Sequence, residues 1–244
     1  MRSRNVIAIM LLATSVFAQK TDARDLRMPV CEFALEKPAP LITAVGEVGL
    51  HVDSDYVSFG IDLTLEGPEP TVTLRVNSGE NLNEALLQIV DQLPGYTFEP
   101  VSEHLVIVYK AGSQSDPQNV LNVRIAKFQV SNVPPLTILG NPARFMPELR
   151  ARLEEPSGHP SCGVIGPGLG AIGPGITLTL QNLTVCEILN RVAEASSTLA
   201  VESDSPSVVP LGWIHIVHVS TRESKKVHEW RFYSATPKSW RRPK

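Results

Sequence analysis

The stretch Asn81-Leu-Asn-Glu-Ala-Leu-Leu-Gln-Ile-Val90 lies between Thr71-Val-Thr-Leu-Arg-Val76 and Leu105-Val-Ile-Val-Tyr109. Its apolar residues Leu82, Leu86, Ile89, Val90 and Leu93 recur at helical spacing. Asn81 is a good N-cap, and Glu84 stands three residues later, as a capping box requires. Pro94-Gly95 closes the helix. In the segment before it, Val72, Leu74 and Val76 alternate with Thr73 and Arg75, the period of a strand with one face covered. The segment after it is apolar and β-branched, as strands are.

A second stretch repeats this order. Ile176-Thr-Leu-Thr-Leu180 alternates in the same way. Thr184-Val-Cys-Glu-Ile-Leu-Asn-Arg-Val-Ala193 carries a cap at Thr184, a carboxylate at Glu187 and an apolar stripe at Val185, Ile188, Leu189 and Val192. Trp213-Ile-His-Ile-Val-His-Val219 closes the unit. Upstream helices are expected from Pro40 to Val48 and from Pro142 to Leu153, with Pro147 in a first turn. Tyr56–Leu65 and Val120–Val130 add a strand to each unit.

The predicted fold class is therefore α+β: two small repeated α/β modules, each a short mixed sheet with two helices packed on one face. The expected division is a signal peptide over 1–18, a first module over 30–112 and a linker over 113–119. A second module follows over 120–220, with a Gly-rich loop at 158–175, and a basic aromatic tail over 221–244.

Leu82, Glu84, Ala85, Leu86, Gly95, Tyr96 and Phe98 carry a pattern that resembles the short N-terminal (STN) module of secretins and TonB-dependent receptors. The second unit matches it through Val185, Glu187, Ile188 and Leu189, but Ala195-Ser-Ser-Thr198 replaces the Pro-Gly-Tyr of the first. The resemblance implies a small α/β module in the bacterial periplasm that contacts partner proteins. No channel or receptor core follows the second unit, so what the resemblance implies is a stand-alone envelope module.

The N-terminus supplies the expected address. Arg2 and Arg4 precede the apolar run Val6–Ala13, and Val16-Phe17-Ala18 gives the small-x-small end of a secretory leader. Cleavage near Ala18 places the product in the periplasm or outside the cell. The run is too short to cross a bilayer, and no later stretch predicts a span.

Among the 244 residues, 43% are hydrophobic and 19% charged, as in a packed chain. The formal net charge of -3 argues against a nucleic-acid partner, which needs a basic excess. That near-neutral figure averages an acidic body with a basic end: Arg222 to Lys244 holds eight basic and two acidic residues, interleaved with Trp230 and Trp240. Trp230, Trp240, Arg241 and Arg242 are candidate contacts for a weak anionic surface.

The three cysteines cannot make a disulfide scaffold. Cys162 and Cys186 are a candidate disulfide that would close a loop of roughly 24 residues, worth ~3 kcal/mol in the chain-entropy model. The alternative is unpaired thiols.

No catalytic, cofactor or metal assignment outweighs a structural reading of the same residues. Gly168-Leu-Gly170-Ala-Ile-Gly173 satisfies G-x-G-x-x-G, but a strand follows where a nucleotide site needs a helix. Gly168, Gly170 and Gly173 read instead as a contact loop. His215 and His218, three apart on a strand, point to opposite faces and cannot share an ion. His228-Glu229 begins H-E-x-x-H, but Phe232 replaces the second ligand.

The expected function is a non-enzymatic protein–protein interaction module of the cell envelope that docks through sheet edges and loops. Two alternatives stand beside it. One is a small secreted enzyme using Cys162 and His159 between the modules; the other is a structural subunit of an envelope assembly.

Overall fold

The computed structural model describes residues 26–53, 57–154, 174–202, 210–220 and 225–234. In chain order the elements are β1 (Phe33–Ala34), β2 (Ala39–Pro40), α1 (Leu41–His51), β3 (Ser58–Leu65), β4 (Thr71–Val72), β5 (Arg75–Val76), α2 (Leu82–Val90), β6 (Tyr96–Ser102) and β7 (Leu105–Lys110). There follow β8 (Arg124–Val133), α3 (Pro135–Gly140), α4 (Pro147–Glu154), β9 (Ile176–Thr184), α5 (Val185–Glu202), β10 (Leu211–Ser220) and β11 (Lys225–Ser234). The fold is α+β.

The helix starts form as their sequence signals require. The Asn81 side chain accepts from the Glu84 N–H at 3.1 Å, and the Glu84 carboxylate accepts from the Asn81 N–H at 2.8 Å. Glu187 accepts from the Thr184 N–H at 2.7 Å, and Thr184 Oγ1 accepts from the Glu187 N–H at 3.2 Å. Pro147 opens α4, where its missing N–H costs nothing.

The two halves do not build a sheet each. A single five-stranded sheet runs in the order β11-β10-β3-β7-β6, so the C-terminal hairpin joins the strands of the N-terminal half. β10 and β7 lie parallel to β3 on either side, while β11 and β6 are antiparallel edges. The alternating segments go elsewhere. β4 and β5 pair with β2 and β1, and β9 pairs with β8 in a separate two-stranded ribbon.

The reason lies in the side chains. β7 and β10 are apolar on both faces, and β3 between them turns Phe59, Ile61 and Leu63 to one face and Ser58, Gly60 and Asp62 to the other with all six buried, so both faces must be covered. α1 and α2 cover one, closing a core around Phe59, Ile61, Leu63, Val106, Val108 and Ile214. α3, α4, α5 and the ribbon cover the other, around Ile107, Phe128, Ile188, Leu189, Trp213 and Trp230. The expected arrangement, with both helices of a module on one face of its own sheet, gives way to one sheet between two layers. The alternating strands, with one wet face, are stable only at the periphery.

Gly60 shows how tightly the halves meet. Trp213 stands beside it across the β3–β10 ladder, and a Cβ on Gly60 would sit 2.5 Å from two carbon atoms of the indole. Only a residue without a side chain lets the ring lie over β3.

Candidate functional site

On the face of the sheet that carries Trp213, the register places Asp62 of β3 beside His215 of β10. Asp62 is 5% exposed and His215 fully buried. His215 Nδ1–H donates to Asp62 Oδ1 at 2.9 Å. His215 Nε2 meets His228 Nδ1 of β11 at 3.0 Å. The His215 ring stacks on Trp230 with centroids 4.4 Å apart and on His228 with centroids 5.3 Å apart. A carboxylate, two imidazoles and an indole thus form one chain across three strands.

The second carboxylate oxygen, Asp62 Oδ2, accepts from Asn119 Nδ2 at 2.9 Å. Asn119 also caps a 3-10 turn, accepting from the Leu121 N–H at 3.0 Å. The expected linker, 113–119, is therefore an ordered arm. Asn119 Nδ2 and Asn122 Nδ2 both donate to Ser113 O, and the arm lies over the end of β3.

Two cavities flank Asp62, and both are also lined by Ser113 and Asn119. The larger, about 440 Å³, lies between the sheet and the start of α5 and is lined by Glu99, Tyr109, Cys186, Glu187, Asn190 and Trp213 among others. Its groups are bonded to one another. Tyr109 donates to Glu99 at 2.9 Å, and Trp213 Nε1–H donates to Asn190 Oδ1 at 2.9 Å. Burial and then the bond to Glu99 push the Tyr109 hydroxyl up to about 12. Burial, followed by the charges of Asp62, Glu99 and Glu187, pushes the Cys186 thiol up to about 12. Cys186 is thus a protonated thiol at neutral pH and a poor nucleophile.

The smaller cavity, about 390 Å³, opens beside His228, Lys110, Lys226, Thr64 and Asp116. Burial, and then repulsion from His215, pull His228 down to about 4. On the opposite face Glu229 accepts from His218 at 2.9 Å and from Arg231 at 2.6 Å. Burial raises the Glu229 carboxyl, but these two partners outweigh it and hold it below its usual value.

Several expected site residues fall in other places. Cys186 is a free thiol. Cys162, His159, Gly168, Gly170, Gly173, Trp240, Arg241 and Arg242 lie outside the described residues. Trp230, expected at a contact surface, is 1% exposed because it packs over His215 inside the core. Residues 225–234 of the expected tail are the edge strand β11. His215 and His218 do point to opposite faces, His215 toward Asp62 and His218 toward Glu229.

Sequence reasoning passed over Asp62, Asn119 and the His215–His228 pair. One signal was available: a lone carboxylate in the apolar strand Ser58-Phe-Gly-Ile-Asp-Leu-Thr-Leu65 must find a partner. The partner, 153 residues away, comes only with the sheet order. No protein-family model, curated protein or solved structure matches the chain. Among the described residues no group of His, Cys, Asp and Glu could hold a metal ion, and no helix is long and apolar enough to cross a membrane.

Proposed function

We propose that this protein is a non-enzymatic interaction module of the bacterial cell envelope, periplasmic or extracellular, that binds partner proteins through its strand edges. The observation that carries the reading is the division of labour in the five-stranded sheet. Both of its faces are occupied by apolar cores, while the outer edges of β6 and β11 have no strand partner among the described residues. An open edge offers backbone N–H and C=O groups to an incoming strand. The ribbon β8–β9 adds two more open edges among the described residues. The leader-like N-terminus and the STN-like pattern at Leu82–Phe98 support the address and the class of partner.

Photocrosslinking tests it in the native envelope. A photoreactive residue at Thr97 on β6 or Lys226 on β11 is expected to give a discrete adduct with an envelope protein. The same residue at Leu87 on α2, an exposed apolar position on a helix rather than a strand, is the control. If neither edge gives an adduct beyond the control, edge docking is wrong.

A further inference from the structure

The chain Asp62–His215–His228 has two ends. One is buried at Asp62, whose two oxygens are both taken, by His215 and by Asn119. The other reaches the 390 Å³ cavity through His228, which lines it. A carboxylate only accepts, so His215 Nδ1 carries a proton. In the arrangement with neutral rings, His228 Nδ1–H donates to His215 Nε2, and the ring nitrogen left over is His228 Nε2.

The uncommitted groups of this cavity decide what it can hold. Lys226 lines it and has no ion-pair partner among the described residues, while Lys110 borders it from the end of β7 on the Val106–Val108 side of the sheet. Ser113 Oγ is buried and makes no hydrogen bond. Asp116, the other carboxylate here, already accepts from the Gln118 N–H at 2.8 Å. What remains is the Lys226 ammonium group, a hydroxyl donor and an imidazole. That set matches a small oxyanion.

We propose that this cavity binds a small oxyanion, a carboxylate or a phosphate, and that binding draws one proton into the histidine pair. The proton enters at His228 Nε2, and the proton on His228 Nδ1 passes to His215 Nε2. His228 ends neutral with its proton on Nε2, facing the anion. His215 ends as an imidazolium between Asp62 and His228. The entering proton comes from solvent, the transfer between the rings runs along the existing His215–His228 hydrogen bond, and the added positive charge rests beside the Asp62 carboxylate. The low proton affinity of His228 itself, set by burial and then by repulsion from His215, fits a pair in which the charge does not rest on His228.

The charged and titratable groups around His228 are His215 on β10, Asp62 on β3, Lys226 on its own strand and Asp116 in the arm, with Lys110 at the end of β7 on the other side of the sheet. α3, which packs on β11, carries no titratable residue. Glu229 lies on the other face, with His218 and Arg231.

The test is calorimetric titration of the full chain near pH 6, with inorganic phosphate and with acetate as separate probes, in two buffers of different ionisation enthalpy. At least one probe is expected to bind with net proton uptake, and the stronger binder identifies the anion type. Lys226→Ala leaves the histidine chain in place and is expected to weaken binding roughly tenfold by removing a charge-assisted bond. His228→Gln is expected to abolish the proton uptake. Absence of saturable binding of both probes overturns the site. Binding unchanged in Lys226→Ala, or uptake unchanged in His228→Gln, overturns the proposed arrangement.

Discussion

Replacing Asp62 separates the role of its charge from the role of its hydrogen bonds. Asp62→Ala leaves His215 Nδ1–H, in a fully buried ring, without an acceptor. An orphaned buried donor costs about 1–3 kcal/mol. Asn119 loses one acceptor but keeps its second bond, to Ser113 O at 3.3 Å, so that loss adds only about 0.5–1.5 kcal/mol. The expected total is about 2–4 kcal/mol, a large part of the stability of an ordinary domain. Asp62→Asn behaves differently. Its amide oxygen can accept from Asn119 while its amide N–H donates to His215 Nδ1, provided the imidazole proton moves to Nε2. At pH 8 its cost should stay below about 1.5 kcal/mol. Urea unfolding followed by tryptophan fluorescence reads this directly, because Trp213 and Trp230 are buried in the same layer. A loss under about 0.5 kcal/mol for Asp62→Ala would refute the claim that this contact joins the halves. So would identical behaviour of the alanine and asparagine variants at pH 8.

Two further outcomes follow from the same layer. Gly60→Ala should destabilise by about 1–3 kcal/mol, because β3 is held by ladders on both sides and cannot move away from the indole. In open space the same change would stabilise by about 0.4–1 kcal/mol, so a raised denaturation midpoint would show that Trp213 does not lie over Gly60. The pH dependence of stability should carry the mark of His228. Its folded value of about 4 lies below the ordinary 6.5, so the unfolded chain takes up the proton first. The native chain should lose stability as pH falls from 6.5 through 4. Discounted for partial exposure, this amounts to about 2 kcal/mol. His228→Gln should flatten that part of the profile, and a profile unchanged between the two chains would count against a buried neutral His228.

The sequence alone determined the local structure. Asn81 with Glu84, and Thr184 with Glu187, set the starts of α2 and α5, because a cap needs only residues three apart. The period of two at Thr71–Val76 and Ile176–Leu180 marked strands with one wet face. The apolar runs at Leu105–Tyr109 and Trp213–Val219 marked strands, and the alternation of His215 and His218 put them on opposite faces. All of these are short-range consequences of side-chain shape and backbone geometry.

The tertiary structure decided which strand lies beside which. Read as a chain, two similar units suggest two sheets. In the fold, β7 and β10, apolar on both faces, share one sheet with β3, because a single layer between two cores leaves less apolar surface in water than two half-covered sheets would. That choice brings Asp62, His215 and His228 together and puts Trp230 inside the protein. It also turns residues 113–119 from an expected linker into the arm that holds Asp62. Strand order depends on contacts more than a hundred residues apart, and no local pattern records it.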